Sequence, residues 1–336
     1  MNRWSRLPAL LRWGVALCAL LILAGLAAPV LAPYDPVEQL DPVAARFRPP
    51  GSVLPAVHLA DGGWRLADRV ERTADGLLVE RLGRTEILAA AEVTNLTPGG
   101  VADRRVFFLG TDKFGRDLLS RMLLGGRISL AVGLLSVTLA LTIGLAVGSA
   151  AALGGPVVDA VLMRLVDAIL AFPWFFFLIL LAALFSPSTW ALILVLGAGS
   201  WMTISRLTRA ELMSLRQREF VTAARSIGQT PGRILLRHLL PNAMTPVMIR
   251  ATLMISNLIL LEASLSFLGL GVQPPTPTWG NMIAEGRDAL YNAWWIAVFP
   301  GAALAVTVVS FNLLADGLRD FLDPKSQREP AMLPPS

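Results

Sequence analysis

Six stretches of the chain are apolar over the length a bilayer demands, and the polar residues collect between them in short clusters and one long segment. A helix crossing a hydrocarbon layer of roughly 30 Å needs about 20 mainly apolar residues. The stretches run approximately from Trp13 to Ala32, Ile128 to Leu153, Val166 to Phe185, Ala191 to Leu207, Val247 to Leu270 and Trp294 to Leu314. The fourth is the weakest by length, with Trp190 and Trp201 placed to anchor it at the two interfaces. This pattern predicts an all-α polytopic membrane protein with six transmembrane helices.

The long polar segment between the first two runs reads differently. Asp61-Gly62-Gly63 and Asp75-Gly76 are hairpin-type turn signals between short alternating runs, Trp64 to Val70 and Leu77 to Leu82. They predict a small β-containing insert over about 51–105. After it, Leu118, Leu119, Met122 and Leu123 recur at helical spacing, which predicts an amphipathic helix lying in the interface ahead of the second span.

Charge sets the orientation, because short loops rich in Arg and Lys stay on the cytoplasmic side. Between Arg206 and Arg250 the chain has eight arginines, Arg206, Arg209, Arg216, Arg218, Arg225, Arg233, Arg237 and Arg250, against Glu211 and Glu219. That loop is predicted inside. Counting spans from it puts Arg3, Arg6 and Arg12 at the N-terminus inside, and Arg319, Lys325 and Arg328 at the C-terminus inside as well. Those N-terminal arginines before an apolar run also fit a cleavable signal peptide. Pro33 after the run and its length of about 20 residues favour a retained anchor.

Composition narrows the function classes. Of 336 residues, 54% are hydrophobic and 16% charged, too apolar for a soluble fold to bury in its cores. The net charge of +5 comes from arginines scattered between apolar runs, so a nucleic-acid surface is not expected. Cys18 is the one cysteine, and His58 and His238 are the two histidines, far apart in sequence. No metal set, disulfide or nucleophile–base pair is built from these, so neither a metal centre nor a catalytic residue is expected. A G-K-[ST] phosphate loop is excluded too, since the only lysines are Lys113, followed by Phe114, and Lys325, preceded by Pro324.

The most informative stretch is in the basic loop, EFVTAARSIGQTPGRILLRHLLPN from Glu219 to Asn242. A short helix stopped by Gly228, then Thr230 as a cap and Pro231 as first residue of a second helix, predict a helix–turn–helix outside the membrane. Small Ala223 and Ala224 would let another protein approach closely.

This run resembles the "EAA" coupling motif of ABC importer permeases, with Ala223, Ala224, Gly228, Leu240 and Pro241 at matching spacing and Thr222 where the motif has Glu. FLGTDKFGRDLLSRMLLGGRISLAVG (Phe108–Gly133), LMRLVDAILAFP (Leu162–Pro173), LLEASLSFLGLGVQPPTPTWGNMIAEGRD (Leu260–Asp288) and FNLLADGLRDFLDP (Phe311–Pro324) resemble dipeptide, oligopeptide and nickel permeases in the same order. The resemblance implies the type I importer permease fold in a bacterial inner membrane. It also implies a second homologous permease, two cytoplasmic ATPases, an external solute-binding protein and no cofactor. Glu219, Ala223, Ala224, Gly228 and Pro241 are then expected to form the ATPase-coupling contact, and the imported solute to be peptide, nickel chelate or a related small molecule.

Two further groups stand out. Glu262 lies within the fifth span, where a bare charge costs at least roughly 2.5 kcal/mol, so it is expected to be hydrogen-bonded or to line a path or gate. Asp112, Arg116 and Asp117 precede the second span and are candidates for an external partner contact. The rival reading is an ion-gradient-driven secondary transporter, which calls for several in-span ionisable groups where the chain offers mainly Glu262. The expected layout is 1–33 for the N-terminus and first helix, 34–127 for the external segment, 128–320 for a five-helix core with the loop 206–246, and 321–336 for the tail.

Overall fold

The computed structural model describes residues 8–61, 63–73, 76–81, 83–93, 103–173, 176, 180 and 188–322. The first helix, α1 (Ala9–Leu31), is followed by a linker and then by the insert, whose six strands among the described residues are β1 (Ser52–His58), β2 (Trp64–Leu66), β3 (Arg69–Thr73), β4 (Gly76–Arg81), β5 (Arg84–Ala89) and β6 (Asp103–Phe107). They form two antiparallel three-stranded sheets, ordered β2-β1-β6 and β3-β4-β5. The predicted run Trp64 to Val70 is in fact split between the two sheets. Gly76 of the second turn signal opens β4, which pairs with β3, while Asp75 lies outside the described residues.

Asp41 staples the insert to the linker. One carboxylate oxygen accepts from the amides of Val43 and Ala44, and the other from the Leu66 amide at 3.1 Å and Arg81 Nη2 at 2.6 Å. Asp41 is buried, which is tolerable only because every face of the charge is met.

Among the described residues, the bundle contains α2 (Leu118–Leu153), α3 (Gly155–Leu170), α4 (Thr189–Arg216), the short α5 (Glu219–Ser226) and α6 (Pro231–Ile234), α7 (Leu240–Phe267), α8 (Trp279–Arg287) and α9 (Trp295–Leu322). Five helical stretches among the described residues are long and apolar enough to cross a membrane: α1, α2, α4, Pro231–Phe267 and α9. The predicted third span starts earlier than expected, at Gly155. Of its remainder beyond Pro173, only Phe176 and Leu180 are among the described residues.

Three expectations are corrected. No separate interfacial helix precedes the second span: the helix starts at Leu118 and continues unbroken for 36 residues. The reason is packing, because Gly125 and Gly126 let Thr278 and Trp279 of the α8 segment cover these first turns. The fourth run is a full span of 28 residues, its polar second half packed against α2 as well. The fifth span stops at Phe267 rather than Leu270, where Gly269 takes φ +80° and the Leu270 amide returns to Leu265 at 2.8 Å, a Schellman ending.

Contacts between helices rely on small residues, as they must where lipid tails are as apolar as the side chains. Gly144 and Gly148 of α2 lie against Ile204 and Ser205 of α4, and Gly197 of α4 lies against Leu139. The core of the bundle, with Val132, Leu196, Ile204, Val247 and Leu265 among its buried members, joins α2, α4 and α7. On the flank, α1 runs antiparallel to α9, with Gly14 on the backbone of Leu314 and Gly317 on the backbone of Leu11.

A side chain at either flank position has no room. Gly14→Val should lower stability by about 1–3 kcal/mol and free α1 from α9. Thermal unfolding in detergent, with a disulfide trap between the two helices as the packing readout, checks this.

Candidate functional site: the two-helix knob and two buried polar clusters

Beyond α4 the chain makes a tight turn at Gln217 and Arg218 and enters α5. Its end is locked by Gly228 at φ +79°: the Gly228 amide bonds to Arg225 O at 2.9 Å and the Gln229 amide to Ala224 O at 3.2 Å. This is again the Schellman pattern, with the glycine at the one position where a side chain would be strained. Pro231 is the first residue of α6, as predicted, but the Thr230 side chain makes no capping bond.

The second helix does not stop at the Leu240–Pro241 pair. Leu235–Leu239 form a π-turn, and α7 follows directly. Pro241 lacks an amide hydrogen and its ring crowds the carbonyl four residues back, so a wider turn at this point removes the clash. Asn242 Nδ2 bonds to His238 O at 2.6 Å, and His238 Nε2 meets Gln229 Oε1 at 3.0 Å.

The resulting knob has two faces. Val221, Ala224, Ile234 and Leu239 are buried against Ala152 and Leu212, at the ends of α2 and α4. Glu219, Ala223, Gly228 and Pro241 are exposed, as are Phe220 at 41%, Leu236 at 68% and Ile227 at 75%. Of the five residues predicted for coupling, Ala224 therefore supports the knob from beneath while the other four are on its surface. Three large apolar side chains are thus exposed on the knob together with Arg218, Arg225, Arg233 and Arg237. Because α2 starts beside the insert and ends beside the knob, the two lie at opposite ends of a helix about 54 Å long.

At the insert end, Asp112, Arg116 and Asp117 are brought together, but inside the protein: their exposures are 0%, 3% and 1%. None of the three offers a side chain to an outside partner, so the expected contact is corrected to an internal clamp. Arg116 Nε bonds to Asp112 at 2.6 Å and its Nη2 to Glu285 at 2.9 Å, while Arg121 Nη2 reaches Glu285 at 3.1 Å and its Nε lies 3.5 Å from Asp112. Two cations and two anions thereby tie the foot of the insert, the start of α2 and helix α8 into one knot. Sequence reasoning missed Arg121 and Glu285, which are 164 residues apart and become partners only through the fold.

Asp117 caps α2, its Oδ2 accepting from the Ser120 amide and hydroxyl at 2.7 Å each. Burial pushes its carboxyl above the usual range, more strongly than the Ser120 bonds pull it down. At the other end of the bundle, Arg209 Nη2 of α4 bonds to Asp159 of α3 at 2.5 Å.

Glu262 is fully buried and sits among hydroxyls. It accepts from Ser266 at 2.7 Å and from Ser129 of α2 at 3.2 Å. Ser129 Oγ also accepts from the Trp279 amide at 3.3 Å. The carboxyl thus binds α7, α2 and the start of α8 together, facing neither lipid nor an open channel.

The sequence model for the "binding-protein-dependent transport system inner membrane component" family matches residues 140–328. The chain belongs to this family. A Brucella suis biovar 1 protein named as a peptide permease is 45% identical to this inner membrane component over 222 residues, 66% of this chain and 74% of the relative. The di/tripeptide transport system permease protein DppC of Pseudomonas aeruginosa is 43% identical over 219 residues, 65% of this chain and 72% of that one. Among solved structures, an inward-facing form of the MetNI methionine ABC transporter aligns with a TM-score of 0.51 and 21% identity, covering 60% of this chain and 96% of that one. The inner membrane component thus has the type I importer permease fold, with the β insert as an addition lying outside the 140–328 match.

Two outcomes follow for the polar clusters. Asp117→Ala should cost about 1 kcal/mol by loss of the cap, whereas Asp117→Asn keeps the cap. Because the folded carboxyl binds its proton more tightly than the unfolded one, its contribution to stability is complete below about pH 4 and declines as pH rises through the raised value. Asp117→Asn should flatten that slope, as read from melting temperatures across pH 4–7. Glu262→Leu should cost about 1–3 kcal/mol by leaving the hydroxyls without their acceptor, and Glu262→Gln clearly less.

Proposed function

We propose that the chain is the membrane-embedded permease subunit of an ATP-driven ABC importer that carries peptides or a related small solute into the cell. The observation that carries this is the knob: an apolar, arginine-rich face on a rigid two-helix unit at the end of the bundle remote from the insert, in a chain of this family. A helix pair with exposed Phe220, Ile227 and Leu236 suits the cleft of a nucleotide-hydrolysing partner, and the absence of a phosphate-loop lysine from this chain assigns hydrolysis to that partner. Glu219, Ala223 and Gly228 make the contact in this reading, Ala224 and Pro241 shape it, and Thr222 leaves Glu219 as the acid beside it.

The peptide reading is supported by the names of the relatives from Brucella suis and Pseudomonas aeruginosa. The complex would contain a second homologous permease, two ATPases and an external solute-binding protein, in a bacterial inner membrane. The arginine-rich knob end and both termini face the cytoplasm, and the insert faces outward, in keeping with the distribution of short-loop arginines. Glu262 serves the path by fixing α7 against α2 and α8 instead of touching solute. Asp112, Arg116 and Asp117 act outside by holding the insert and α8 in register.

Reconstitution with the partner permease and ATPases tests the reading. Phe220→Asp should weaken docking by about 2 kcal/mol, roughly thirtyfold in affinity, and abolish ATP-dependent uptake of a labelled dipeptide at subsaturating ATPase. Uptake that continues without ATPase, driven by an ion gradient, would favour the secondary-transporter reading instead.

A further inference from the structure

Two kinds of contact join α5 to the helix that follows it. Underneath, Val221 and Ala224 lie in one apolar cluster with Leu212, Ile234 and Leu239. Apolar burial is non-directional, so it holds α5 down without fixing how it is turned. The second contact has a direction. Just past the Gly228 stop, the imidazole of His238 donates from Nε2 to Gln229 Oε1 at 3.0 Å. Among the described residues, this is the one side-chain hydrogen bond that ties residues 219–230 to any other part of the chain.

His238 belongs to the π-turn at Leu235–Leu239, a wide turn of a kind found most often where a helix has a function to perform. Its carbonyl is engaged separately and accepts from Asn242 Nδ2 at 2.6 Å, on the first turn of α7. The residue is therefore held by its backbone on the side of the long helix and by its ring on the side of α5. Gln229 and His238 are both half-buried, so water competes only in part for the bond.

We propose that His238 is a positioning residue for energy coupling: through Gln229 it makes the end of α5 and the π-turn move as one body, so that displacement of the knob turns the long helix instead of slipping over it. This rests on the ATP-driven import proposed above. His238 acts here through α5, not on solute or nucleotide.

The test uses the complete importer in proteoliposomes, with ATP hydrolysis and uptake of labelled Ala-Leu followed together, so that the readout is dipeptide carried per ATP. In His238→Ala and in Gln229→Ala this ratio is expected to fall about fivefold, while ATPase binding and hydrolysis stay within about twofold of the unsubstituted complex. His238→Gln, whose amide can meet Gln229 from a similar position, should restore most of the ratio, and the double Ala variant should lose no more than either single one. A role in stability alone would lower assembly, hydrolysis and uptake in step and leave the ratio where it was. If His238→Ala does not fold, Gln229→Ala is read in the same way. An unchanged ratio in a folded single variant, no rescue by His238→Gln, or additive losses in the double variant overturns the proposal. Each of those results leaves ATP-driven uptake by the unsubstituted complex standing, whereas absence of that uptake counts against the transport reading itself.

Discussion

Hydrocarbon offers no hydrogen bonds, and this constraint orders the rest of the molecule. Backbone groups inside the layer must pair within their own helices, which is why the spanning parts are long unbroken helices and the strands are confined to an insert joined through the Asp41 staple. Side chains obey the same rule. Glu262 is buried only with hydroxyls around it, and the arginines of the insert end are buried only with Asp112 and Glu285. Since apolar burial does not drive helices together in lipid, contact depends on close approach, and the glycines along α2, α4 and the α1–α9 flank provide it.

Much of this was legible in the residues. Length and hydropathy located α1, α2, α7 and α9 to within a turn or so at most ends, and turn chemistry located the β insert and the Gly228 stop. What escaped was set by contact at long range. The early start of α2 depends on α8 covering Gly125 and Gly126, and α8 itself, a nine-residue helix with a Thr278–Asn281 capping box, is too short to leave a periodic signal. The polar half of α4 looked like loop because its charges are matched only in space, Arg209 by Asp159 for example. For the candidate site the division is similar: the knob could be read from spacing, whereas burial of Asp112, Arg116 and Asp117 could not, because Glu285 comes from the far end of the sequence.

The two buried clusters share a partner in α8. Its first residue, Trp279, is held through Ser129, and its last turn through Glu285. A short helix with polar attachments at both ends moves as a body with α2, and the insert follows because its foot is in the same knot. Neither cluster is an ornament of the surface. Each replaces hydration that the position denies, and each fixes an orientation that apolar packing alone would leave free.

The π-turn before Pro241 gives the long helix one more property. From Pro231 to Phe267 the backbone is helical without a break, so the foot of the rod in the knob and the tip that carries Glu262 are parts of a single shaft. A torque applied at the foot cannot dissipate in a loose connection. It would pass along one continuous helix, whose least regular point is the over-wide turn at Leu235–Leu239.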